Sequence, residues 1–299
     1  MHHLKLHPVP PYDFDRSVSL SPREVNIGST GFFEDGTFYR VVNHNNNVCL
    51  LKINSSGTIE EPEIHVESTH PIDDELQRKI KHILEINIDL KPFYNRVSKD
   101  PFLAELVQKF YGIKIIHTES LFEALVIAIS EQQISLSVAM QLTDRFIRTF
   151  GIPLQNDGKM FHAFPQPKQI AELQPSQIRD LKFTTRKAEY IINLAQMIVN
   201  KKLDAEKIGE LPSRDAITEL TKIRGIGLWS AEYALIRGLG KHDNIPADDI
   251  ALQRIMKSIH KVEQISSDQI RKLFKPWHPY EGYAVFYIFL EEWSQRRGK

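Results

Sequence analysis

The sequence predicts an α+β protein: a small antiparallel α+β domain, followed by a mainly α-helical core. Three observations predict it. Short β-rich runs separated by Asn/Gly turns are confined to the first ninety residues. From Ile88 onward apolar residues recur at helical spacing in almost every segment. A chain of 299 residues is long enough for two domains. We place these at residues 1–90 and 91–299.

Hydrophobic residues make up 41% of the chain and charged residues 25%, the balance of an ordinary globular protein. Formal net charge is zero and pI about 7.2, which excludes a protein that coats nucleic acid electrostatically and leaves room only for a local basic face. Cys49 is the sole cysteine, so there is no disulfide framework, no zinc knuckle and no four-cysteine iron–sulfur loop. No cluster of His, Cys and Asp has transition-metal spacing along the chain. No signal pattern opens it and no apolar run approaches a membrane span, so a cytoplasmic protein is expected.

In the N-terminal part, Phe38–Val42 and Val48–Ile53 are β-rich and flank His44-Asn-Asn-Asn47, which is hairpin chemistry. Glu34-Asp-Gly36 marks an earlier turn, and Ile64–Glu67 a further strand. His2 and His3 are expected on the surface. Pro71–Leu84 opens with acids and closes with bases, as a helix prefers. Beyond it the spacing predicts helices over Leu90–Tyr94, Asp100–Tyr111 and Glu119–Phe150, the last interrupted by the polar run Glu131-Gln-Gln-Ile-Ser135. Thr184–Ala195 begins with Arg186 and Lys187, against the usual dipole preference; a nearby phosphate or tertiary packing would each explain it. Arg214–Ile223, Ile255–Val262, Ser267–Phe274 and Glu281–Arg296 complete the helical series.

The rest of the chain serves the stretch Leu220–Ile255. Gly225 and Gly227 frame Ile226 where a tight turn between helices calls for positive φ, and the small residues Ser230, Ala231 and Ala234 allow two helices to approach. A turn that opens directly into a helix aims backbone N–H groups outward at the positive end of a dipole, a site for phosphate. Gly225, Ile226, Gly227, Leu228 and Ser230 are its candidate members. Such a turn holds a nucleic-acid backbone without reading bases. Downstream, Asn244-Ile-Pro-Ala-Asp-Asp-Ile-Ala-Leu-Gln-Arg254 places two carboxylates, Asp248 and Asp249, at the start of the next helix, where either could act as its N-cap.

Ile223-Arg-Gly-Ile-Gly-Leu-Trp-Ser-Ala-Glu-Tyr233 followed by Pro246-Ala-Asp-Asp-Ile-Ala-Leu-Gln-Arg254 resembles the helix-hairpin-helix DNA glycosylase superfamily with a Gly-Pro-Asp-type loop, nearest its alkylation-repair branch, 3-methyladenine DNA glycosylase II. Pro10-Pro-Tyr-Asp-Phe14 and Lys275-Pro-Trp277 resemble the same family. The resemblance implies a base-excision enzyme that flips a damaged base from double-stranded DNA and hydrolyses its N-glycosidic bond. Cleavage of that bond builds positive charge on the sugar, so a carboxylate facing C1′ contributes most. Counting forward to Leu252 and Arg254 selects Asp249 for that role. Gln133, with Ile134 as the alternative, would fill the gap left by the extruded nucleotide.

Trp229, Tyr233 and Trp293 match aromatic positions of the family's base pocket, where a cationic alkylpurine meets an electron-rich face. Ile250 follows the catalytic position, where the branch carries an aromatic residue, and leaves base preference open. Bifunctional relatives carry at position 229 a Lys that forms a Schiff base; Trp229 implies a monofunctional enzyme with no lyase step. The family's hairpin also binds a monovalent cation, Na⁺ or K⁺, through backbone carbonyls, here those of Thr221, Ile223 and Ile226; no other cofactor is implied. The expected partner is damaged duplex DNA, the expected state a monomer in the cytoplasm at the nucleoid. An oxidised-purine (8-oxoguanine-type) glycosylase, a non-catalytic lesion-binding protein and a plain helical scaffold are the alternatives.

Overall fold

The computed structural model describes residues 1–20 and 29–297, with side chains as far as Gln295. Five antiparallel strands form one sheet in the order β1-β5-β4-β3-β2. They are β1 His2–Leu6, β2 Gly31–Glu34, β3 Thr37–His44, β4 Asn47–Gly57 and β5 Pro62–Ser68. Both expected hairpin turns form. Asn45 and Asn46 adopt φ of 48° and 59° between β3 and β4, the left-handed pair that a two-residue turn needs, and Asp35 and Gly36 do the same at 49° and 73° between β2 and β3. The strand β1 was not expected, because His2-His3-Leu4-Lys5-Leu6 is too polar to read as β. It pairs with β5 from His2 opposite Ser68 to Leu6 opposite Ile64, so the two histidines lie on an edge strand.

One face of the sheet buries Phe38, Val42, Leu51, Ile53, Ile64 and Val66 against α1 (Phe14–Ser19) and α2 (Asp74–Ile83). The carboxylate of Asp73 caps α2, accepting from the Leu76 N–H at 2.9 Å, with Asp74 and Glu75 in its first turn. The other face packs Val41 and Leu50 on Phe161, from a second hairpin, β6 (Pro153–Asn156) and β7 (Lys159–His162). That hairpin was also unexpected, although its Asp157-Gly158 turn, with φ of 48° and 74°, is a hairpin signature.

The helical core comprises α3 (Lys91–Val97), α4 (Pro101–Lys109), α5 (Leu121–Glu131), α6 (Leu136–Phe150), α7 (Pro167–Ala171), α8 (Pro175–Arg179), α9 (Thr185–Val199), α10 (Ala205–Glu210), α11 (Ser213–Thr221), α12 (Leu228–Leu239), α13 (Ile250–His260), α14 (Ser267–Phe274) and α15 (Glu281–Arg297). Their apolar faces form two lobes. Helices α5 to α12 enclose the first, centred on Leu125, Phe146, Ile191 and Leu235; α3, α4 and α13 to α15 enclose the second, centred on Phe93, Leu252, Phe274 and Tyr287. The order of an antiparallel sheet with helices and then a helical core is the one expected. Among the described residues no helix is long and apolar enough to cross a membrane.

The sheet is fastened to the first lobe by a buried ion pair. Arg40 on β3 donates to both carboxylate oxygens of Glu123 on α5, at 2.9 and 3.0 Å. Nearby, Lys79 on α2 donates to Glu119 at 3.0 Å.

Candidate active site

The hairpin joins α11 to α12 through Lys222–Gly227. Gly225 has φ of +95°, and a Cβ there would lie 2.2 Å from Cγ of Tyr190, so both backbone and packing require glycine. Gly227 differs from the expectation. Its φ is −88°, any residue could adopt it, and nothing stands within 4 Å of a Cβ built on it. Gly227 serves as the N-cap of α12 with no side chain closing the helix start. Gly227 and Leu228 are exposed, whereas the Ile226 side chain is buried in the first lobe. Ser230 is also buried, its Oγ accepting from Gln132 Nε2 at 3.0 Å, so its hydroxyl faces the protein. The outward surface of the turn is therefore backbone at Gly227 and Leu228. Thr221 ends α11, and the Ile223 carbonyl accepts from the Ile226 N–H at 3.0 Å.

Gln132 also donates to the Gly225 carbonyl at 2.9 Å, which ties the α5–α6 loop to the hairpin. The ammonium of Lys187 donates to the carbonyls of Ser130 and Gln132 at 2.9 and 2.7 Å, closing the C-terminal end of α5. Of the two explanations for a basic start to α9, tertiary packing accounts for Lys187; Arg186 is exposed. With the loop's base fixed, its tip projects. Gln133 takes φ of +58°, and both Gln133 and Ile134 are exposed. Ser135 then caps α6, accepting from the Val138 N–H at 3.4 Å.

Asp249 is the N-cap of α13, and its Oδ1 accepts from the N–H groups of Ala251 and Leu252 at 2.8 and 2.9 Å. Its Oδ2 accepts from the indole N–H of Trp229 at 3.0 Å. Capping and positioning are thus done by one residue: the cap holds one oxygen and turns the other toward α12. Asp248 points elsewhere, accepting from Ser267 Oγ at 2.5 Å and lying 3.6 Å from Arg271. Trp229 stacks on Tyr233 with centroids 5.6 Å apart and planes 28° from parallel. Both rings belong to the first lobe and Leu252 of α13 to the second, so the Trp229–Asp249 hydrogen bond joins the two lobes.

Trp293 is not brought to this pair. It packs in the second lobe, stacked on Phe289 at 5.7 Å. Ile250 is 80% exposed at the start of α13. Arg254 donates to Glu292 at 2.7 Å on the protein surface.

Sequence reasoning missed the bracket behind the site. Arg271 on α14 grips Glu232 of α12 with two hydrogen bonds, at 2.5 and 3.1 Å, and donates to the Ile245 carbonyl at 2.9 Å. It thereby joins the hairpin's second helix to the loop that delivers Asp249. Burial pushes the Glu232 carboxyl up to about 7, against the pull of Arg271. A lone Glu within the apolar run of α12 was the available signal. Of the lysines flanking the hairpin, Lys222 pairs with Glu219 at 2.6 Å and Lys241 donates to the Leu211 carbonyl at 2.8 Å.

Comparison with known proteins gives the family. Residues 126–279 match the model of the HhH-GPD superfamily base excision DNA repair protein. The chain belongs to that superfamily. The HhH-GPD match covers α12, Asp249 and α13, and residues 28–125 match the N-terminal domain of 8-oxoguanine DNA glycosylase. A DNA-3-methyladenine glycosylase of Bacillus subtilis is 36% identical over 217 residues, 72% of each chain. A putative DNA-3-methyladenine glycosylase of the same organism, YfjP, is 32% identical over 297 residues, 95% of this chain and 97% of its own. The solved 3-methyladenine DNA-glycosylase of Archaeoglobus fulgidus superposes with a TM-score of 0.82 at 25% identity, covering 97% of both chains.

Proposed function

We propose that this protein is a monofunctional DNA glycosylase that flips alkylated purines, of the 3-methyladenine and 7-methylguanine type, from duplex DNA and hydrolyses their N-glycosidic bonds. The observation that carries the reading is the Asp249 carboxylate, fixed by two backbone N–H groups of α13 and aimed by the indole of Trp229. A carboxylate held so needs no reorganisation when charge develops on the sugar, which is the condition for strong electrostatic stabilisation. Water then attacks C1′, with Asp249 orienting it or taking its proton.

Absence of a lyase step is supported by position 229. Its side chain reaches the carboxylate at 3.0 Å, so a Lys there would reach the sugar; the residue is Trp, which has no nucleophile. The stacked rings of Trp229 and Tyr233 offer a face to a cationic base, a contact of about 0.5–2 kcal/mol that favours alkylated over ordinary purines. Trp293, in the second lobe, is not part of this pair, and exposed Ile250 would meet the base or its flank as an aliphatic surface. The exposed backbone of Gly227 and Leu228 would hold a phosphate, and Gln133 with Ile134 would enter the stack. The Thr221, Ile223 and Ile226 carbonyls would hold Na⁺ or K⁺ at the hairpin, the Ile223 carbonyl with the lone pair that Ile226 leaves. We place the enzyme, as a monomer, in the cytoplasm on the nucleoid.

A second reading, removal of oxidised purines, is favoured by the 8-oxoguanine DNA glycosylase match over residues 28–125. Duplexes carrying 7-methylguanine or 8-oxoguanine separate the two. The expected result is release of the methylated base with no strand nicking. Release of 8-oxoguanine alone would overturn the substrate class, and strand nicking accompanied by a borohydride-trapped enzyme–DNA adduct would overturn the monofunctional assignment.

A further inference from the structure

Behind the site, where the N-terminal domain meets both helical lobes, three side chains from remote parts of the chain converge. Glu85 follows α2, His117 precedes α5, and His242 follows α12 in the segment leading to Asp249. Glu85 is only 8% exposed, His117 4% and His242 7%, and one ligand atom from each lies within 4.8 Å of the others. No local spacing links positions 85, 117 and 242, which is why a search along the sequence finds no ligand set.

The cluster is arranged like a ligand set. Glu85 has φ of +50°, a left-handed turn that directs its carboxylate inward. Its Oε1 is hydrogen-bonded to His242 Nε2 and lies 3.2 Å from His117 Nε2. Its Oε2 is engaged by the Tyr283 hydroxyl and by the Ile115 N–H at 3.1 Å, the outer contacts that orient a metal-binding carboxylate. Independently of that geometry, neither ring nitrogen of buried His117 has a hydrogen-bond partner, and Nε2 faces Glu85 off the line of a hydrogen bond. A buried polar atom left so destabilises the fold unless something else engages it. Metal–ligand bonds of about 2.0–2.1 Å in a tetrahedron set ligand atoms about 3.3 Å apart; the Glu85–His117 pair has that separation at 3.2 Å, and the His242 ring, now hydrogen-bonded to the carboxylate, would draw back slightly to share a cation.

We propose that Glu85, His117 and His242 form a structural site for a first-row divalent cation, with Zn²⁺ the best match to two imidazoles and one carboxylate. A water completes the tetrahedron. A cation there joins three segments across the domain seam and anchors the chain that runs from α12 to Asp249. Being buried, it enters during folding.

The test uses the full-length chain, without a polyhistidine tag, produced in zinc-supplemented medium and measured by elemental analysis. About one Zn²⁺ per chain is expected. Refolding with Co²⁺ gives the intense visible bands of a tetrahedral centre, and stripping with a chelator under mild denaturant lowers Tm by several degrees, reversed by adding Zn²⁺. The His117→Ala and His242→Ala variants lose the metal and the Co²⁺ bands. Wild type refolded in Zn²⁺ with less than a tenth of an equivalent and no Tm response overturns the proposal, leaving a hydrogen-bonded His–Glu network. So does retention of metal by the double variant, which would place the ion elsewhere. Neither readout depends on the glycosylase assignment.

Discussion

Trp229 carries two jobs in one side chain: its face stacks on Tyr233 and its N–H holds Asp249. They can be separated. Trp229→Phe keeps an aromatic face and removes the donor, so base excision is expected to slow about tenfold, the worth of one hydrogen bond to a charged group, with duplex affinity unchanged. The two glycines of the turn separate in the same way. Gly225→Ala places a Cβ into Tyr190 at an unfavourable φ and should cost about 3 kcal/mol or more, read as a lowered urea midpoint. Gly227→Ala should leave stability nearly unchanged and weaken duplex binding at low salt, because the space beside it is open. The sequence showed two carboxylates at the head of α13 and a register that picked one. It could not show that one oxygen of Asp249 caps the helix while the other meets an indole, because that contact joins positions far apart in the chain.

At the scale of elements, the α5–α6 loop projects because its base is tied down by Lys187 and Gln132. Lys187→Met removes two charge-assisted hydrogen bonds to otherwise orphaned helix carbonyls. We expect about 1–3 kcal/mol lower stability and faster amide exchange across residues 131–135. If exchange there is unchanged, the loop does not depend on this clamp. The polar break in an apolar helix and the misplaced basic residue were both visible in the sequence; that one explains the other was not. Long periodic helices such as α6 and α9 were legible because burial of one face writes itself into the spacing. The edge strand β1 was not, since an edge strand at the surface carries few apolar residues. The β6–β7 hairpin carried its Asp157-Gly158 signal but only four residues a side.

At the scale of the molecule, Asp249 meets Trp229 because two helical lobes are held in register with each other and with the sheet. Arg40→Met leaves Glu123 charged, buried and unpaired, and should destabilise the whole chain by about 3–5 kcal/mol in one cooperative transition. A separate sheet transition would show that the domains are not coupled there. The Glu232–Arg271 bracket gives a pH signature. A carboxyl whose folded pKa lies above its unfolded value binds more protons when folded. Its contribution to stability is therefore complete below the ordinary carboxylate value of 4.5 and lost as pH rises through about 7. Glu232→Gln should flatten the stability profile across that window; an unchanged profile would assign the slope to other groups. Order of domains and helical hairpin were readable from composition and spacing, whereas this bracket and the buried Glu85–His117–His242 cluster arise only when remote segments meet.

The most direct test of the account is the Asp249→Asn variant in single-turnover release of 7-methylguanine from a methylated duplex, with duplex affinity measured alongside. Asn caps a helix about as well as Asp, so the substitution removes the charge and keeps the cap. Excision is expected to slow by about 10²–10³-fold or more, with affinity retained. Excision at the wild-type rate would mean that Asp249 only caps α13 and that the chemistry lies elsewhere.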